Sequence, residues 1–275
     1  MSDAEKTERL LARIAQGERI ESAEEMTPEY RQHLVHLMTM QADSELAGGY
    51  GYVPWITKAP GVEEKHVVAQ IVKDEMRHAT VMYGLLGDLG VDVEAHVQAH
   101  DDAFTMRIEA DADIGTRRIS ADKRVNIFYY PIDTWADFVF FNFCMDRGAG
   151  HQLEDVRQCS YGPWVRAIEG IFKEEKFHIR HGEYWVKRLS EDPATHDEAQ
   201  ATFAKWYVRT MNIFGRPGSP KNAVYRKYRL KLRDNDEVRQ AFAAEVAGLC
   251  EKVGLAVPDW TPVWDALPEE AQIPG

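Results

Sequence analysis

The chain has 275 residues, enough for one large domain with a buried core, and its 44% hydrophobic and 28% charged residues are ordinary for a globular protein. A formal net charge of −12 disfavours nucleic acid as a partner. The charged first twenty residues contain no apolar core of a signal peptide, no apolar run is long enough to span a bilayer, and the three cysteines form no Cys-x-x-Cys pair, so a soluble protein of the reducing cytoplasm is expected.

The elements read as helices with short breaks. Pro28 opens a helix to about Gly48, with Leu34, Leu37, Met38 and Ala42 at helical spacing. Residues 50–61, which include Gly51, Pro54 and Pro60, read as a connection, and a second helix runs from Val62 to about Leu89, stopping at Gly90. The stretch 91–133 begins with helical character and continues, from Asp101, as a long charged excursion. Thr134 is a candidate N-cap for a third helix over 135–156, and SYGP at 160–163 separates it from a fourth over 164–189. Shorter helices are expected over 197–214, 223–233 and 236–253, with a surface tail after Pro258. Without β-branched alternation, the expectation is an all-α chain. Four long helices with one long crossover make a ferritin-like four-helix bundle over about 28–190, and additional C-terminal helices fill about 195–275 of a single domain, 1–275.

Two Glu-x-x-His motifs lie mid-helix on separate long helices, at Glu75/His78 and Glu175/His178. Three-residue spacing puts carboxylate and imidazole on one helix face, close enough to ligate one metal. About one such motif is expected by chance in a chain of this composition. A third, Glu63/His66, sits in the first turn of its helix and about 120° away from Glu75, and reads as the coincidence. A di-iron bundle needs one more carboxylate from each of the other two helices. Glu45 precedes Glu75 by thirty residues and Asp146 precedes Glu175 by twenty-nine, so each half of the chain repeats the same arrangement. Glu45, Glu75, His78, Asp146, Glu175 and His178 thus form an oxygen-rich set suited to two iron ions, with manganese open, and poorly suited to zinc. Asp74 is a candidate to orient a ligand histidine. Tyr83 is discounted as a radical site, because position 82, four residues after His78, holds Met82. Gly48, Gly49, Ala149 and Gly150 follow the two single carboxylates. A helical glycine costs about 1 kcal/mol relative to alanine, so either an access pocket or close helix packing is expected there.

With those residues in place, the sequence resembles the catalytic subunits of ring-epoxidising aryl-CoA oxygenases, the phenylacetyl-CoA epoxidase family above all and benzoyl-CoA epoxidase more distantly. The resemblance rests on SELAG at 44–48, WITKAP at 55–60, KDEMRH at 73–78, the YP and TWAD pieces around 130–137, MDRGAG at 145–150, SYGPWVRA at 160–167, KEEKFHIRHG at 173–182 and KYRLKLRDNDEVRQAF at 227–242. It covers roughly Glu18 to Pro258. An aspartate at the third ligand position is typical of both epoxidases, and Asp146 fits it. The resemblance implies a di-iron monooxygenase with dioxygen as co-substrate, electrons from a separate reductase, an aromatic acyl-CoA substrate, an oligomeric assembly and a structural partner subunit. The stretch 91–131 is longer than in phenylacetyl-CoA epoxidase and the C-terminus is shorter, so the substrate is expected to differ in detail. The basic run Arg226, Lys227, Arg229, Lys231 and Arg233 is a candidate for CoA phosphates or an acidic partner, with a solvated helix face as the plain alternative, and Lys58 is a second candidate. Alternative readings are a stand-alone di-iron oxygenase for another small molecule, a ferritin-type ferroxidase, and a structural subunit that has lost its metal.

Overall fold

The computed structural model describes residues 2–261. In chain order, α1 (Asp3–Ala15) is followed by α2 (Pro28–Tyr52), the short α3 (Trp55–Lys58) and α4 (Gly61–Asp88). Next come α5 (Val93–Thr105), an irregular stretch, α6 (Trp135–Phe141), a π-helical turn (Asn142–Asp146) and α7 (Arg147–Val156). The described chain is completed by α8 (Gly162–Glu191), α9 (His196–Met211), α10 (Pro220–Lys227) and α11 (Asn235–Val253). The only β pairing among the described residues is an isolated bridge between Ile20 and Tyr161. The fold is an all-α, ferritin-like bundle of α2, α4, α6–α7 and α8.

Helix ends follow local chemistry. Thr27 Oγ1 accepts from Tyr30 N at 3.3 Å and Pro28 occupies the first helical turn of α2. Thr134 and Asp137 form a reciprocal capping box at α6, as do Asp234 and Glu237 at α11, which ends on the left-handed Gly254. α2 continues four residues past the expected end at Gly48, and its Gly49 presses against α4. A Cβ on Gly49 would stand 2.7 Å from Met76 Cε. That assigns Gly49 to close packing. Ala149, by contrast, borders a cavity described below.

The third bundle helix is not continuous, as the sequence suggested, but is interrupted by the π turn at Asn142–Asp146. Its backbone lies so close to α8 that a Cβ on Gly182 would meet Phe143 N at 2.6 Å and Phe143 Cα at 2.9 Å. One extra residue per turn resets the register of everything that follows, Asp146 included. α10 stops at Lys227, short of the expected Arg233, where Arg229 takes a left-handed φ of 50°. α1 was not anticipated; its Ser2–Glu5 capping box is the missed signal. The described tail ends at Thr261, so the expected wrapping of the later residues lies outside the described residues.

The 91–133 stretch is helical to Thr105 and then irregular, and it is tied down by buried polar groups. Asp43, fully buried in α2, accepts from Tyr83 Oη at 2.8 Å, from His96 Nε2 at 2.9 Å and from Lys123 N at 2.7 Å. Arg124 is buried too. It donates to the carbonyls of Ala103 and Phe104 at the end of α5 and lies 4.1 Å from the centre of the Tyr129 ring. A cation at a helix C-terminus satisfies carbonyls that lack intrahelical donors. The C-terminal helices brace the outside of the bundle: Trp206 Nε1 of α9 donates to Asp137 at 2.8 Å, and Arg147 Nε of α7 donates to Glu245 of α11 at 2.9 Å. Among the described residues no helix is long and apolar enough to cross a membrane.

Candidate metal centre

α4 and α8 run antiparallel, and the two Glu-x-x-His motifs meet between them. The structure gathers Glu45, Glu75, His78 and Glu175 into one group and Asp146, Glu175 and His178 into a second, the ligand atoms of each within 4.8 Å of one another. Glu175 belongs to both. Its Oε1 stands 3.1 Å from His78 Nδ1 and its Oε2 3.6 Å from His178 Nδ1. Glu75 Oε1 is 3.2 Å from His178 Nδ1, so a second carboxylate also lies between the imidazoles, whose ring centres are 6.1 Å apart. Glu45 Oε2 flanks His78 at 3.4 Å. All six residues sequence reasoning singled out as metal ligands therefore converge on one place.

Each imidazole has an inner and an outer nitrogen. The Nδ1 atoms of both His78 and His178 are buried, face carboxylate oxygens and have no hydrogen-bond partner of acceptable geometry. His78 Nε2, on the outer side, pairs with Glu174 Oε2 at 2.7 Å, and His178 Nε2 lies 3.6 Å from Asp74 Oδ2. The contacts cross over, each motif's preceding acid serving the histidine of the other helix. Asp74 was legible as an orienting group. Glu174 was missed, although its position before Glu175 mirrors that of Asp74 before Glu75. The single carboxylates show the same symmetry. Gln41, four residues before Glu45, donates to Glu45 Oε1 at 3.0 Å, and Asn142, four residues before Asp146, donates to Asp146 Oδ2 at 3.0 Å. An amide at i−4 from each candidate carboxylate was the available signal.

The electrostatics of the cluster are those of an excess of buried carboxylate. Burial, with Glu175 and Glu45 nearby, pushes Glu75 up to about 8 despite the contact with His178. Burial and Glu175 likewise hold Asp146 well above the usual carboxylate range. For Glu175, burial acts upward, but His178 and His78 overcome it and leave the group at about 2. Carboxylates stripped of water and packed together require cations between them. Two unpartnered imidazole nitrogens facing shared carboxylates fit two metal ions, with His78 and Glu45 on one side, His178 and Asp146 on the other, and Glu75 and Glu175 between.

Above the carboxylates lies a cavity of about 110 Å³ whose wall includes Leu37, Phe128, Met145, Ala149, Leu153 and Trp164. A larger and more polar cavity of about 340 Å³ adjoins it, with Leu37, Met40, Val125, Gln152 and Lys231 lining both. Arg117 and Arg118 of the irregular stretch border the larger one. The C-terminal basic run does not converge there. Lys227 pairs with Glu29 at 3.0 Å, Arg233 with Asp155 at 2.6 Å and Arg226 with Asp234 at 3.9 Å, Arg229 faces a separate hollow beside Arg19, and of the five only Lys231 lines these two cavities. Lys58 is exposed and lies 5.4 Å from the Trp55 ring.

The chain is similar to one of the subunits of the 1,2-phenylacetyl-CoA epoxidase of Escherichia coli (strain K12), with 30% identity over 92% of this chain and 77% of that protein. It is also similar to benzoyl-CoA oxygenase component B from Aromatoleum evansii, at 25% identity over 78% of this chain, which spans about half (47%) of that longer protein. The model of the phenylacetic acid catabolic protein family matches residues 1–266. With nearly its whole length matched, the chain belongs to the phenylacetic acid catabolic protein family.

Proposed function

We propose that the protein is the catalytic subunit of a multicomponent di-iron monooxygenase that epoxidises or hydroxylates the ring of an aromatic acyl-CoA thioester. The observation that carries this reading is the pair of buried, unpartnered Nδ1 atoms facing shared carboxylates, directly beneath an apolar cavity. Bound there, iron would supply the redox chemistry of dioxygen, with two electrons from a separate reductase. Manganese satisfies the same donor set and is distinguished by metal analysis.

The residues of this chain have separate tasks in that reading. Glu45, Glu75, His78, Asp146, Glu175 and His178 hold the metals. Gln41, Asn142, Asp74 and Glu174 fix the ligands' orientation through the hydrogen bonds and close contacts given above. Phe128, Met145, Leu153 and Trp164 position an aromatic ring and exclude water. The adjoining cavity is lined by Arg117, Arg118, Arg124, Lys221 and Lys231, and these cations suit the phosphates of CoA better than the remainder of the basic run does. Both relatives are named as parts of larger enzymes, which supports work within a complex.

The experiment is iron loading followed by turnover on a panel of aryl-CoA thioesters with a reductase. About two irons per chain and an oxygenated product are expected. Ala149→Phe, which fills the apolar cavity, should keep its iron and lose most turnover. Loading with zinc alone, or Glu75→Ala with undiminished turnover, overturns the assignment.

A further inference from the structure

The outer surface of α4 and α8 carries a cluster of cations beside the two histidines. Lys73 and Arg77 on α4, and Lys173, Lys176 and Arg180 on α8, lie on the solvent side of the two antiparallel helices that carry the Glu-x-x-His motifs. Two acids interrupt these five cations. Glu174 is already engaged by Arg77 and His78, and Glu169 stands at one end. In a chain of net charge −12, this cluster stands out against an acidic background. At its centre Phe177 is 38% exposed.

The layer beneath the patch is one side chain thick. The Phe177 ring packs edge-on against His178, with ring centres 6.0 Å apart. Glu174, whose side chain is 35% exposed, is bonded to His78 Nε2. Both histidines are therefore one residue from this surface. On the opposite side the carboxylates face the smaller, apolar cavity, and α9 and α11 cover α6–α7.

We propose that the α4–α8 face is the docking surface for an acidic one-electron donor protein, which passes electrons to the centre through the Phe177–His178 and Glu174–His78 contacts. The inference rests on the monooxygenase reading above. Inserting one atom of dioxygen and reducing the other to water consumes two electrons and two protons. The donor supplies the electrons one at a time and is itself oxidised, and the protons come from solvent. Opposite charge on the two surfaces accelerates encounter, commonly tenfold to a thousandfold at low salt, and the advantage fades as salt rises.

The test uses the iron-loaded full chain and a reduced, acidic plant-type [2Fe–2S] ferredoxin, with reduction of the centre followed by stopped flow. The triple variant Lys73→Glu, Lys173→Glu, Arg180→Glu is compared with wild type and with a remote control, Arg226→Glu, Lys227→Glu. The expected result is at least tenfold slower reduction of the triple variant in low salt, little difference at 0.5 M salt, and a control close to wild type. Iron content and reduction by dithionite should be the same in all three proteins. Equal rates for wild type and the triple variant overturn the proposal, as does equal slowing in the remote control, which would mean that net charge alone matters. A chain that takes up no iron contradicts the monooxygenase reading itself, which separates that failure from a misplaced docking surface.

Discussion

Glu174 Oε2 lies 2.7 Å from Nε2 of His78, a histidine ninety-six residues away on another helix, while Asp74 approaches His178 in the opposite sense. The arrangement leaves Nδ1 of each ring turned inward, and at His78 the carboxylate of Glu174 accepts from Nε2. Each half of the site is thus oriented by the other half's helix. The two motifs work as one unit only when α4 and α8 are packed in register.

This crossed support predicts the effect of its removal. Glu174→Gln and Asp74→Asn keep the size of each side chain and weaken its hold on the imidazole. Metal affinity should fall about 10- to 100-fold while helical content stays at the wild-type level. Competitive chelator titration followed by circular dichroism checks both points. An unchanged affinity would show that the packing of the rings, rather than the Glu174 hydrogen bond and the Asp74 contact, sets the geometry.

Glu75 shows the cost of the cluster without metal. Burial, with its carboxylate neighbours, pushes it up to about 8 and so favours its neutral form in the metal-free protein. Glu75→Gln therefore replaces one neutral group by another, and apoprotein stability should change by no more than about 1 kcal/mol. Metal at a hundred times its dissociation constant should stabilise the wild type by about 2.7 kcal/mol and the variant by much less. Thermal unfolding with and without added iron(II) under argon reads both differences.

Gly182 predicts a purely steric effect. A Cβ at this position meets the backbone of the π turn, which has no flexible end to move aside. Gly182→Ala should destabilise the protein by about 1–3 kcal/mol and, by displacing Asn142 and Asp146, lower metal content. Gly170→Ala on the same helix, where a Cβ meets nothing within 4 Å, is the control and should be neutral or slightly stabilising. Unfolding by urea, with metal analysis of each variant, makes the comparison.

His36 predicts a pH dependence. Burial, reinforced by Lys221, Arg118 and Lys123, holds it down to about 3. The unfolded chain has an ordinary histidine value near 6.5. Unfolding therefore takes up a proton below that value, and stability that is full above about 6.5 is lost progressively toward 3. His36→Gln should remove this loss. Between pH 7 and pH 4.5 the wild type should lose about 2 kcal/mol more than the variant, measured by denaturant unfolding at both values. Parallel pH profiles would mean that His36 is solvated.

Much of the centre was legible in one dimension because helices convert spacing into direction. Glu75 with His78, and Glu175 with His178, share a face whatever the tertiary context, and the near-equal intervals from Glu45 and Asp146 reflect two helix–turn–helix returns of similar length. The partners at i−4, Gln41 and Asn142, obey the same rule and were open to the same reading. Glu174 was open only by analogy with Asp74, since its partner sits on a different helix and its place before Glu175 is the one signal it carries.

What only the tertiary structure decided depends on how surfaces meet. The π turn arises where α6–α7 crosses α8 at Gly182, a close approach that no periodicity in either segment announces. The basic run from Arg226 to Arg233 looked continuous in sequence, yet the chain leaves the helix after Lys227 and passes through a left-handed Arg229, sending its charges to different partners. The cavity cations Arg117 and Arg118 come from a stretch without regular structure. Its path is set by Asp43 and by Arg124, buried polar groups whose partners are far apart in sequence. The amino-acid sequence by itself determined the long helices α2, α4 and α8 and the inward-facing Glu-x-x-His pairs, because both follow from the 3.6-residue repeat. The register between helices, the crossed support of the histidines and the shape of the cavity were decided by packing, because they depend on which side chains meet across space.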